Sequence, residues 1–446
     1  MLLPEEALVD DRAVQGPQVT PFDQDRRDQY LAFGFVAELT DTDPLALLGE
    51  WSRTPARDER SVSESRLVTE GVRALRAAFE GLAAQGLGRD QVVFLSGGLD
   101  SRAILGELLH AYGSDEVLAA TFGLPGEQDF DFGSQVARVA GVRHERLESF
   151  SVDWTTESLV DSVLAREVPL PQPFGQRYLS YRLHDRIGPE HAFWDGLCGG
   201  SVSGVHAYTK GAPETWEAAR DHFLQRHLVR GWEAFTTPGF QPQAALPASP
   251  LCSEEVLSYA NQLEFAVRQG RYIATRRLRA YTVRTPYLAG PWLDFMLSVP
   301  PRYRYQQRLY QAIVQSAHPR LFSLPTTTFV GKGAASSPLG RRVRTLQRRV
   351  LLKARSRGLG RFLGGEAPGG ANDAIRRAHQ ERPEIRDLVT ANLDDLARRG
   401  LVPGVEVGAT AAAAVKGRMG ESRLSALLGA ELNLKALERL DAGAAS

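Results

Sequence analysis

The stretch VVFLSGGLDSRAIL, residues 92 to 105, decides the fold. Four apolar residues, Val92 to Leu95, run straight into Ser96-Gly97-Gly98-Leu99-Asp100-Ser101, and a helical pattern with Ile104, Leu105, Leu108 and Leu109 follows at once. A strand that ends in a tight turn and feeds a helix aims backbone N–H groups, and the positive end of the helix dipole, at one spot. That spot is an anion site by construction. Gly97 and Gly98 offer unusual backbone angles and close approach to a phosphate, and Ser96 and Ser101 add hydroxyl donors. Asp100 is a poor neighbour for a phosphate unless Mg²⁺ stands between them. The plainer alternative is a glycine turn in which Ser101 caps the helix. The sequence is neither a Walker loop nor a GxGxxG fingerprint.

Working outward, helical spacing begins at Ser65, with Leu67, Val68, Val72, Leu75, Phe79 and Leu82, and Gly86 and Gly88 stop it. After the glycine turn the pattern predicts a strand over 117–122, a helix over 131–140, a strand over 144–147, helices near 156–166 and 174–187, and a strand over 192–194. Alternating strands and helices predict an α/β domain, a parallel sheet with helices on both faces, over 61–205. Beyond Gly204 the pattern becomes helical, over 210–235, 253–281, 384–399 and 421–440, and predicts a helical C-terminal lobe over 206–446. Residues 1–60 read as a loop-rich N-terminal segment with one apolar stretch, Tyr30 to Val36. Gly, Ser, Pro and Ala dominate 332–345 and 358–372, which read as loops.

With 446 residues the chain has room for two or three domains. Lys plus Arg and Asp plus Glu both number 53, so no net field draws it to nucleic acid or a membrane surface. Two cysteines, Cys198 and Cys252, exclude a disulfide scaffold and a cysteine-rich zinc site and suit a reducing, cytoplasmic setting. The acidic N-terminus lacks the features of a signal peptide, and no apolar run is long enough to span a bilayer.

SGGLDS at a strand end resembles the pyrophosphate loop of the N-type ATP pyrophosphatases, whose fold is adenine nucleotide α-hydrolase-like. Three further stretches resemble the synthetase domain of the asparagine synthetase B family. They are LAATFGLPGEQDFDFGSQVARVAGVRHERL, with Phe122 and Gly123 at the adenine and Asp129 at an acidic position; FWDGLCGGSVSG, at a second glycine-rich loop; and VRTPYLAGPWLDFMLSVPPRYR, in the helical lobe. The resemblance covers roughly 65–335. It implies ATP and Mg²⁺ as cofactors, with nucleotide contacts from Leu95, Ser96, Gly97, Gly98, Leu99, Asp100, Ser101, Phe122, Gly123, Asp195 and Gly196. It implies adenylation of a small-molecule or peptide carboxylate, then attack by an amine, giving an amide, AMP and pyrophosphate. β-Lactam synthetases and lasso-peptide cyclases of the same family join the two groups within one molecule. A homodimer is compatible with this assignment.

Three departures from the family pattern stand out. Position 2 is Leu where the family's glutaminase domain has its nucleophilic cysteine, and about 60 residues are too few for that domain, so no glutamine hydrolysis is expected; Tyr30–Val36 reads as its remnant. In the second loop, Leu197 and Gly200 stand where the family has a glutamate and a metal-binding aspartate, leaving Asp100 and Asp195 as the metal ligands. The family's PFLD segment reads Pro286-Tyr-Leu-Ala289. Asp100 and Lys332 are the catalytic candidates, Lys332 as the cation that offsets charge on the departing phosphates. Two alternatives stay open: a synthetase subunit fed ammonia by a separate glutaminase, and a non-catalytic nucleotide-binding regulator. His144, Asp131 and the basic stretch 341–357 carry weaker signals, read as structural or solvated.

Overall fold

The structure, a computed structural model, describes residues 22–37, 57–84, 89–167, 175–205, 213–254, 257–269, 278–328, 381–404 and 421–444. Lys332 and the basic stretch 341–357 lie outside the described residues.

Five parallel strands form one sheet: β1 (Gln91–Phe94), β2 (Val117–Gly123), β3 (Arg143–Glu148), β4 (Ala192–Trp194) and β5 (Thr282–Arg284), in the order β3-β2-β1-β4-β5. The central strand β1 has neighbours on both sides, with Val92 opposite Leu118 on one and Phe193 on the other. Strands covered on both faces need apolar residues at every position, which is why VVF is continuous rather than alternating. β3 is an edge strand and tolerates the charged run RHERLE.

The pleat sends Val93, Leu95, Val117, Ala119 and Trp194 to one face and Val92, Ala120, Leu147 and Phe193 to the other. The first face packs against α1 (Glu64–Ala83), α2 (Asp100–Tyr112) and α3 (Gln128–Ala140), and Phe79 stacks on Trp194 at 5.1 Å. The second packs against Leu183 and Ile187 of α4 (Gln176–Ile187). The sheet is thus covered on both sides, as the alternation of elements predicts.

The edge strand β5 comes from 282–284, beyond position 205, so the sheet borrows from the region read as the helical lobe. Within 253–281 the described helix is short, Tyr259–Leu263, and continues as a π-helical turn, Glu264–Gln269. The N-terminal segment supplies a helix, Gln24–Phe33, begun by Asp23 accepting from the Arg26 N–H and ended by Gly34 in the left-handed region. Its Tyr30 and Leu31 pack with the C-terminal helix Glu421–Ala444, and its Ala32 and Phe33 pack with Trp216 and Phe223. The two C-terminal helices, Pro383–Arg399 and Glu421–Ala444, are tied by Arg399 to the buried Glu431 at 2.8 Å and by Lys435 to Asn392 at 2.9 Å. Among the described residues no helix is long and apolar enough to cross a membrane.

Candidate functional site

The strand order reverses between β1 and β4, since the chain winds from β1 to β3 on one side and returns to β4 and β5 on the other. Open parallel sheets bind ligands outside the carboxyl ends of the strands at such a point. The loops leaving those two ends are Leu95–Leu99 and Asp195–Cys198, so the topology brings both glycine stretches together.

The first loop is a hydrogen-bonded knot. The Ser96 N–H donates to Ser101 Oγ at 3.1 Å, the two hydroxyls lie 3.2 Å apart, and the Gly98 N–H donates to Ser96 Oγ at 3.2 Å. Ser101 therefore does not cap α2, and no side chain does. The glycines are not explained as expected. Neither Gly97 nor Gly98 takes a positive φ. Gly97 is required by crowding: a Cβ there would stand 2.6 Å from Thr327 Cγ2. A Cβ on Gly98 would meet only the Ser96 hydroxyl, at 3.3 Å. Among the described residues nothing else crowds Gly98, and only the Ser96 hydroxyl would have to give by a few tenths of an ångström, which leaves an approach along the backbone open to a ligand.

Asp129 contributes to this loop. Its Oδ1 accepts from the Gly97 N–H at 3.1 Å. The segment after the helix Pro319–Phe322 closes the other side, with the Thr327 N–H donating to Gly97 O at 3.0 Å. Arg102, fully buried on α2, places that segment by donating to the carbonyls of Leu321, Leu324 and Pro325 at 3.0, 3.1 and 2.7 Å.

Asp100 sits between the loops. The Tyr310 hydroxyl and the Gly200 N–H favour its charged form, and the Tyr287 hydroxyl donates to its backbone carbonyl at 3.0 Å. The two tyrosine hydroxyls are 2.7 Å apart. Oδ1 is buried, with no hydrogen-bond partner among the described residues. Burial raises the Asp100 pKa to about 6, and the charge of Asp195 adds to the rise. The second loop presses on it closely: a Cβ on Gly196 would stand 3.0 Å from Asp100 Cβ, and one on Gly199 2.7 Å from its Cγ. Asp195 is held at the end of β4 by its N–H donating to Arg284 O at 2.9 Å.

The other expected contacts fall as follows. Leu95 and Leu99 are buried in the main core, so their backbone alone can face a ligand. Phe122 packs edge-on to Phe94 at 6.5 Å within the second face, and Gly123 lies beside Glu127. Leu197 is 6% exposed and belongs to the main core, and Cys198 follows in the left-handed region at φ 62, its Sγ–H donating to Gln269 Oε1 at 3.7 Å. His144 is structural: Thr121 Oγ1 donates to Leu95 O at 3.0 Å and accepts from His144 Nε2–H at 2.9 Å. Tyr287, Tyr310, Arg102 and Thr327 were not legible as site residues. The one available signal is the tyrosine of Pro286-Tyr-Leu-Ala289, whose hydroxyl reaches the Asp100 carbonyl.

Two carboxylates, one with a buried orphan oxygen, fit a Mg²⁺ that takes its remaining ligands from phosphates and water. Among the described residues no group of three or more His, Cys, Asp or Glu could hold a metal by itself. A separate cleft of about 590 Å³, lined in part by Phe150, Trp154, Arg182 and Arg382, includes no residue of either glycine loop. No family model matches the chain, and no curated protein matches it.

Proposed function

We propose that the chain binds ATP with Mg²⁺ at the paired glycine loops and is a carbon–nitrogen ligase of the asparagine synthetase type. It would adenylate a carboxylate and pass it to an amine, releasing AMP and pyrophosphate. The observation that carries the reading is the pairing of Gly98, which among the described residues only the Ser96 hydroxyl crowds, with Asp100 Oδ1, a buried oxygen with no partner among the described residues, at the switch point of the sheet. Ser96, Ser101 and the Gly98 N–H would turn from one another to phosphate oxygens. Asp100 and Asp195 would hold Mg²⁺, which offsets phosphate charge when bound. Lys332 follows Thr327 by five residues, a reach of at most ~18 Å, and is the candidate cation for the departing phosphates.

A second reading has its own support. Leu197 is packed in the core, Gly200 has no carboxylate, and Asp129 fills the Gly97 N–H, which favours a nucleotide-binding regulator without catalysis. Calorimetry with ATP, with and without Mg²⁺, tests both. Binding that needs Mg²⁺ and is lost in Asp100→Asn is expected, and the absence of binding in either condition removes both readings. AMP and pyrophosphate formation with a panel of carboxylates and amines then separates the ligase from the regulator.

A further inference from the structure

The turn after the helix Pro301–Arg304 carries several unfavourable features together. Arg304 is 6% exposed, and its Nε is buried with no hydrogen-bond partner. Burial lowers its pKa to about 10, with no opposing carboxylate among the described residues. Buried charges are ordinarily paired. Arg102, the comparable buried arginine, bonds three carbonyls; Arg304 has no such set. Gln306 and Gln307 both sit in the left-handed region, at φ 53 and 58, where non-glycine residues persist only under constraint. Gln307 is 7% exposed.

The turn abuts the second glycine loop. Gly204, at φ 102, holds its backbone so close that a Cβ would stand 2.2 Å from Arg304 O. A Cβ on Gly200 would stand 3.7 Å from Gln307 Nε2 and 3.9 Å from Asp100 Oδ2. Beside these polar groups are Val205 and Tyr305, 46% and 37% exposed, two of the three large hydrophobics that are exposed among the described residues. A largely buried arginine whose Nε has no partner among the described residues, an amide and the Asp100 carboxylate that both lie near Gly200, strained backbone and an apolar rim coincide at one place.

We infer that the 304–307 turn and the second glycine loop form an oxyanion site for a carboxylate on an apolar body, received by Arg304 and Gln307 with Val205 and Tyr305 against the body. Phosphate shares the oxyanion chemistry but makes no use of the apolar rim. Identifying the ligand with the acyl substrate rests on the reaction proposed above; the anion site does not.

The test is thermal melting of the full chain and of Arg304→Met and Arg304→Gln, in phenylacetate, inorganic phosphate or chloride at equal ionic strength. Ligand that binds the native state raises Tm in proportion to its concentration over Kd. The wild-type protein should gain Tm steadily with phenylacetate, less with phosphate and not with chloride. Arg304→Met, relieved of an unpaired buried charge, should melt roughly 1–3 °C above wild type without ligand. Both variants should lose the response to phenylacetate. An Arg304→Met protein that melts lower or does not fold makes Arg304 structural and overturns the proposal. So does a wild-type protein that responds to neither anion, or to phosphate alone. A phenylacetate response that survives a failure to bind ATP removes the reaction and leaves the site standing.

Discussion

The two glycine loops leave neighbouring strands at the same end of one sheet, yet they are built of opposite materials. The first is polar and held by its own hydroxyls, by Asp129 and by the Thr327 backbone. The second is apolar. Leu197 and Cys198 turn into the main core, and its glycines exist so that Asp100 can lodge against them. One loop is arranged around groups that can be redirected to a ligand, the other around contacts that cannot be given up. The comparison teaches that Leu197 and Gly200 are different kinds of position. Leu197 has been absorbed by packing, whereas Gly200 leaves room for a side chain.

That difference gives the largest expected effect. Leu197→Glu would place a carboxylate in the core with no partner, at a cost of about 3–5 kcal/mol, and urea denaturation should register it as a collapse of the midpoint. Gly200→Asp should be tolerated, because a Cβ there meets nothing closer than Val205 Cγ2 at 3.4 Å. On the proposed Mg²⁺ site it would add an acid near Asp100 and should tighten Mg²⁺ in calorimetry by roughly tenfold, about 1.4 kcal/mol. If both variants unfold alike, the second loop is uniformly closed and the distinction fails.

The first loop should differ from the second in its response to acid. Leu95 O, at the root of the loop, is held by Thr121, which is held by His144. Burial first, and then the charge of Arg146, lowers the His144 pKa from 6.5 to about 4. A histidine depressed in the folded state is protonated first in the unfolded chain. Its contribution is therefore full above pH 6.5, is lost as the pH falls towards 4, and is flat below that. His144→Gln keeps a donor to Thr121 and should flatten the fall in the urea midpoint between pH 7 and 4.5. An unchanged slope would place the acid sensitivity elsewhere.

Much of the sheet was legible because its strands obey local rules. The run VVF needs two covered faces, and the glycine turn needs a strand before it and a helix after it. β5 was not legible, since Thr282-Val-Arg284 is three residues long and has meaning only opposite Ala192 to Trp194. Within the candidate site, sequence pattern reached the residues that share a motif and missed those that arrive from far along the chain. Arg102 is adjacent to the motif, but its partners lie more than two hundred residues away. Thr327 reaches Gly97 through its backbone, which leaves no mark in the residue type. Asp129 was noticed as an acid, but its contact with the Gly97 N–H was not legible, because position in sequence does not say which way a carboxylate turns.

The smallest effect on stability is also the one that bears most directly on function. Gly98 has a negative φ, and among the described residues a Cβ there would meet only the Ser96 hydroxyl, at 3.3 Å, which would have to give by a few tenths of an ångström. Gly98→Ala should therefore fold with a stability change under about 1 kcal/mol in either direction, since alanine also narrows the unfolded ensemble. If the glycine is present so that phosphate can approach the backbone, the same methyl group blocks that approach, and ATP affinity in calorimetry should fall by tenfold or more. Gly97→Ala is the control: its methyl would meet Thr327 Cγ2 at 2.6 Å, so it should lose stability whether or not a nucleotide binds. A Gly98→Ala protein that keeps both its stability and its ATP affinity would leave the glycine without a role. The first loop would then be, like the second, a device for packing Asp100 rather than for holding a phosphate.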